Sequence, residues 1–182
     1  MDLPPRHIQA AGWRIRIRQL PSAPGNAKAP LVFLHEGLGC IEMWRDFPQR
    51  LCALTGRAGL LYDRRGYGSS DTLSGRWPYD YLVQEALHRS RVCAAVTEAA
   101  HVIVEEVTLA GIRRTVAAYA STDLKTRLAF YHGDNTESVF RRWADTWLAA
   151  DFQPWNIEVY LPRVTCPLLI LQGRDDEYAT AD

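Results

Sequence analysis

Four short apolar runs constrain this chain more than any other feature: residues 31–34 (Leu31-Val32-Phe33-Leu34), 59–62, 92–96 and 167–172. Each is long enough for one strand and too short for a packed helix. A run that is apolar at every position suits a strand covered on both faces, as in a parallel sheet. Residues 13–18 differ, since Trp13, Ile15 and Ile17 alternate with Arg14, Arg16 and Arg18. Period two with charge on one side predicts a half-exposed edge strand. Between the runs lie helical patterns. Met43, Trp44, Phe47, Leu51 and Leu54 recur at helical spacing, with Asp46 and Pro48 as the start signal. Tyr79, Leu82, Val83, Ala86 and Leu87 form a second stripe ending near residues 89–91, and residues 105–160 are helical and rich in aromatics. Strands alternating with helices define an α/β protein with a mostly parallel sheet.

Composition narrows the classes of function. The chain has 182 residues, enough for one domain with a small appendage. Its 21 basic and 21 acidic side chains cancel, so no basic field favours nucleic acid. No apolar run approaches the ~18–20 residues of a membrane span. The first 30 residues carry no secretion-signal pattern. Cys40, Cys52, Cys93 and Cys166 are widely spaced, with no CxxC pair, and read as reduced core or near-core thiols. The expectation is a cytoplasmic protein that binds neither membrane nor nucleic acid. No His/Cys/Asp/Glu cluster has zinc-ligand spacing and no phosphate-binding glycine motif occurs, so neither metal nor cofactor is expected.

In a parallel sheet, ligands bind beyond the carboxyl ends of the strands. Three strand ends carry polar or glycine-rich punctuation: residues 35–39 (His35-Glu36-Gly37-Leu38-Gly39), 63–70 and 173–176. Gly37 and Gly39 let a ligand approach backbone amides with no Cβ in the way, and two amides aimed at one point stabilise an oxyanion. The other reading of these glycines is a plain strand-to-helix turn.

Taken in order, the 31–39 segment, Trp44 with Phe47-Pro48, and Tyr62-Asp63-Arg64-Arg65-Gly66-Tyr67-Gly68-Ser69-Ser70 resemble the first part of an α/β-hydrolase-fold enzyme. Residues 166–176 are similar to the strand and turn bearing that family's triad acid, and the aromatic helices resemble its cap. The resemblance implies an α/β-hydrolase-like core in residues 1–104, a cap in 105–161 and a return to the core in 162–182. It implies Gly37, with its neighbour Leu38, as the oxyanion hole, and Asp176 as the triad acid, with Asp175 the lesser choice; the other reading of Asp176 is a turn-capping carboxylate. It also implies His35 as a brace of the oxyanion turn and a paired Asp63–Arg65 as scaffold. His35 and His101 are the possible pocket residues, His101 as pocket wall or loop brace, and His132 is placed in a cap turn.

The departure from the family is severe. A Gly-x-Ser-x-Gly turn must hold the nucleophile at the sheet top, and none of the serines has glycines at those offsets. A strand–helix–strand unit takes about 30 residues, yet only a few separate the 79–87 stripe from the 92–96 run. The central strand, elbow and helix are therefore expected to be missing as a block, with the junction at 88–91 and the sheet reduced in strand number. Cys93, placed inside a strand, offers no substitute. No histidine follows Asp176, so no base is found either, and the chain reads as shortened at its far end too. The resemblance implies a carboxylic-ester-hydrolase lineage with a small apolar or aromatic substrate and impaired catalysis. The alternatives are a non-catalytic ligand-binding or interaction protein, or a truncated product without selected function. Self-association through unpaired strand edges is expected in each case.

Overall fold

The computed structural model describes residues 4–73 and 92–180; the 79–87 stripe and the junction at 88–91 lie outside them. Contact density divides the chain into two units, residues 1–75 with 123–143 and residues 76–122 with 144–182. The chain passes between the units after residues 75, 122 and 143.

The first unit begins with a hairpin that the alternating pattern only half revealed. β1 (Arg6–Ala10) pairs antiparallel with β2 (Trp13–Leu20), Ile8 opposite Ile15. Ala11 and Gly12 both adopt positive φ, 49° and 81°, as a two-residue hairpin turn requires. β2 then pairs antiparallel with β4 (Gly59–Tyr62), and β3 (Leu31–Phe33) pairs parallel with β4, giving the order β1-β2-β4-β3. So β2 is an inner strand and the edge is β1. The sequence hid β1 because Ile8 is the one large apolar residue in Arg6-His7-Ile8-Gln9-Ala10.

The core of this unit is Leu20, Phe33, Ile41, Cys52 and Leu61, with Leu31, Trp44 and Leu51 packed against it. Phe33 meets the Trp44 ring edge-on at 5.6 Å. α1 (Phe47–Thr55) starts where Asp46 and Pro48 predicted, and ends at Gly56 in the left-handed conformation. Covering is one-sided, however: Val32 is 53% and Leu34 55% exposed. The expectation of a β3 buried on both faces is thus corrected: Phe33 points into the core, and Val32 and Leu34 share the opposite, open face of the strand. α3 (Leu124–His132), the turn Gly133–Asn135 and the start of α4 (Thr136–Leu148) complete the unit.

The second unit holds a two-stranded parallel sheet, β5 (Ala95–Glu98) against β6 (Leu168–Leu171), with Val96 opposite Leu169. β5 starts three residues later than expected, which leaves Cys93 exposed ahead of the strand rather than within it. The run predicted as a buried strand is open: all four residues of β6 are exposed, Ile170 by 68%. α2 (Glu106–Ser121) carries Gly111 where the tail returns, since a Cβ there would lie 2.8 Å from the Tyr178 ring. The Tyr178 hydroxyl bonds Thr115 Oγ1 at 2.7 Å. Trp147, Phe152 and Trp155 cluster, with Phe152 stacked on Trp155 at 5.3 Å. No helix among the described residues is long and apolar enough to cross a membrane.

Candidate functional site

His35 lies two residues beyond the end of β3 and is 6% exposed. Its Nε2 accepts the Arg64 backbone N–H at 3.1 Å, which puts the ring proton on Nδ1, where it faces the Glu36 carbonyl at 2.9 Å. The tautomer follows from this network. Burial, with the Arg64 guanidinium and His132 adding to it, holds the imidazole pKa down at about 3. The Arg64 guanidinium donates to the His35 and Glu36 carbonyls at 3.0 and 2.8 Å and lies 4.8 Å from the Tyr67 ring centroid. A neutral histidine and a buried guanidinium therefore fix the residues 35–36 backbone from both sides. His35 braces this turn.

The amides that follow are disposed unequally. The Leu38 N–H donates to the Glu36 carboxylate, and the Gly39 N–H to the Glu36 carbonyl at 3.2 Å. The Gly37 N–H has no acceptor among the described residues. Of the two residues expected in the oxyanion hole, Gly37 thus presents an open donor, and Leu38 a donor already taken. Gly37 is required by a close approach: a Cβ there would sit 2.7 Å from Trp143 Cδ1. Gly39 lies close against the Glu36 side chain, whose carboxylate oxygen would be 2.7 Å from an added Cβ.

His132 does more than end a helix. Its Nδ1 accepts the Gly68 N–H at 3.1 Å, so its Nε2–H donates to the Leu38 carbonyl at 2.8 Å. One ring joins the oxyanion turn to the Gly68 turn, and it is 2% exposed. Asn135 adds two bonds, to the Gly68 and Ser70 carbonyls, both 3.1 Å. Nothing in the local sequence reveals this, because His132 and Leu38 are 94 positions apart.

The expected Asp63–Arg65 pair is corrected. Asp63, 0% exposed, accepts the Ile41 and Ser69 amides at 2.8 and 3.3 Å and pairs with Arg16 at 3.4 Å. Arg65 lies over the Trp13 ring and donates to the Thr72 carbonyl at 3.2 Å. Cys40, Glu42 and Asp63 bring three ligand-type atoms within 4.8 Å of one another. The Arg16 guanidinium binds both carboxylates of that cluster, in the place a cation would take. Burial pushes the Cys40 thiol pKa up to about 12, so it keeps its proton instead of offering a thiolate.

In the second unit, both Asp176 oxygens are engaged within their own turn. Oδ1 accepts the Tyr178 N–H at 2.8 Å and Oδ2 accepts Gln172 Nε2 at 3.1 Å. That is the arrangement of a turn-capping carboxylate. His101 sets its ring edge-on against Trp147 at 4.9 Å, and its buried Nδ1 has no hydrogen-bond partner among the described residues. Burial lowers its pKa, while the charges of Glu105 and Asp176 raise it. His101 and Asp176 therefore share one unit and one electrostatic neighbourhood; His35, Gly37 and Leu38 belong to the other.

Comparison with known proteins gives the fold. No family model matches the chain, and no curated protein matches its sequence. Solved structures do match. A serine hydrolase involved in carbazole degradation superposes with a TM-score of 0.70 at 17% identity, covering 99% of this chain and 83% of its own. The enol-lactonase from Burkholderia xenovorans gives 0.67 at 18% identity, covering 97% and 84%. An esterase from Exiguobacterium antarcticum gives 0.63 at 18% identity, covering 96% and 83%. The chain has the α/β-hydrolase fold, in a form with few strands.

Proposed function

We propose that this chain is of carboxylic-ester-hydrolase lineage, binds a small apolar or aromatic acyl compound, and does not turn it over by nucleophilic acyl transfer. One observation carries the reading: an open, rigidly held Gly37 amide in a chain with no Gly-x-Ser-x-Gly turn. A preorganised amide has value where negative charge develops on a carbonyl oxygen. It does nothing to form the acyl bond, for which an activated hydroxyl or thiol is needed. Of the four thiols, Cys40 and Cys52 are buried, Cys166 is half-buried and Cys93 is exposed. Asp176 keeps the place of the triad acid and serves its turn; the helical segment 105–161 serves as the cap. In an enzyme of this mechanism, loss of the nucleophile removes about a million-fold in rate and leaves only what binding and the oxyanion hole supply.

The test is hydrolysis of short-chain p-nitrophenyl esters by the pure chain, beside labelling with a fluorophosphonate. The expected result is turnover no more than about a thousand-fold above background and unaffected by the label. A stoichiometric adduct on one serine, with loss of turnover, would show that a nucleophile operates.

A further inference from the structure

Cys93 and Cys166 lie far apart in the chain, and the parallel register of β5 and β6 sets them opposite each other. Ala95 pairs with Leu168 and Val96 with Leu169. The Ala95 N–H donates to the Pro167 carbonyl at 2.9 Å, one residue before the paired run of β6. Counting back along both strands, Ala94 falls opposite Pro167 and Cys93 opposite Cys166. Residues opposite each other in a ladder project from one face, and alternate positions share that face. Cys93, in phase with Ala95, and Cys166, in phase with Leu168, therefore fall on the same side. Neighbouring strands run about 4.8 Å apart, inside the roughly 4.4–6.8 Å between Cα atoms that a disulfide spans.

The reason the ladder stops here also favours the bond. Its next step would need an N–H from residue 167 to the Cys93 carbonyl, and proline has none. Neither cysteine belongs to the paired run, and the chain bends at both. Their backbones can thus draw in from sheet spacing to the about 3.8 Å between Cβ atoms that a disulfide prefers. Cys93 is exposed and Cys166 half-buried, whereas Cys40 and Cys52 are buried and belong to the other unit.

We propose that Cys93 and Cys166 are a thiol modification site, reduced at rest and closed into a reversible intrachain disulfide by a small-molecule disulfide. The Cys93 thiolate, the more exposed, attacks one sulfur of the oxidant, and the other sulfur leaves as a thiolate. The Cys166 thiolate then attacks the Cys93 sulfur of the mixed disulfide and expels the second small thiolate. The two cysteine protons end on the two released thiols; the protein gives up two electrons and the oxidant gains them. The bond closes residues 93–166 into one covalent loop, which includes the helical segment 105–161. A cross-link over a loop of that length restricts the unfolded chain and favours the folded one.

The test is equilibration of the dilute chain in glutathione buffers, from fully reduced to fully oxidised, followed by alkylation in denaturant and non-reducing peptide mapping. The expected product is one cross-linked peptide joining Cys93 to Cys166 within a single chain, reversed by dithiothreitol, with Cys40 and Cys52 alkylated. In urea the cross-linked chain is expected to have an unfolding constant at least about tenfold below that of the reduced chain. Cys166→Ser halts the reaction at a glutathione adduct on Cys93. Ala94→Cys in a Cys93→Ser background turns the thiol to the opposite face, and it forms no bond to Cys166 in the buffer that fully oxidises the parent. Circular dichroism identical to the parent's shows that both variants keep the fold. Untouched thiols in the most oxidising buffer, separate glutathione adducts on the two cysteines, a bond between chains, equal closure through Ala94→Cys, or an unchanged unfolding constant would overturn the proposal.

Discussion

Acidification should expose the role of His35 more sharply than any truncation. The imidazole is buried and bonded as a neutral ring, with its pKa at about 3 against 6.5 in an unfolded chain. As the pH falls below 6.5, the unfolded state takes up a proton that the fold refuses. Stability is therefore full above pH 6.5 and is lost progressively between 6.5 and about 3. The slope approaches 1.4 kcal/mol per pH unit, so about 2 kcal/mol is gone at pH 5 from this group alone. His35→Gln retains an acceptor near the Nε2 position and cannot titrate. It is expected to cost about 1–3 kcal/mol at pH 7.5 through the altered bond to Glu36. Urea unfolding of both proteins at pH 7.5, 6.5, 5.5 and 5.0 separates the effects, because other titrating groups cancel in the difference. The gap between the proteins should narrow by about 2 kcal/mol from pH 7.5 to 5. If it stays constant within about 0.5 kcal/mol, His35 is not held neutral, and the account of the braced turn fails.

Three further outcomes follow from the same geometry. Asp63→Ala deprives the Ile41 and Ser69 amides of their acceptor and Arg16 of a buried partner; urea denaturation should show a loss of about 3 kcal/mol. Gly37→Ala drives a methyl to within 2.7 Å of Trp143. It should lower stability by about 1–3 kcal/mol, and Trp143→Leu in the same chain should recover part of that, read as a non-additive double-mutant cycle in thermal unfolding. Asp176→Ala removes two turn bonds. It should lower stability by about 1 kcal/mol and leave the residual ester hydrolysis rate unchanged; a drop in rate would assign Asp176 to the reaction.

The sequence alone determined the class of fold and the places where chemistry could sit. Short apolar runs such as 59–62, each followed by a polar residue or glycine, admit little but short strands feeding polar turns, and this is a local property of the chain. The same local logic found α1 from Asp46 and Pro48. Tertiary structure decided what local pattern cannot encode. A run like Leu168-Leu169-Ile170-Leu171 is apolar whether it is covered or bare, and only the packing around it shows that it is bare. Asp63 could have paired with Arg65 two positions away; its burial beneath Ile41, within reach of Arg16, chose otherwise. Gly37 and Leu38 are adjacent, yet one amide is open and the other occupied, because the Glu36 side chain folds back onto its own turn. His132 braces Leu38 across 94 positions, since a hydrogen bond depends on distance in space, which the order of residues does not record.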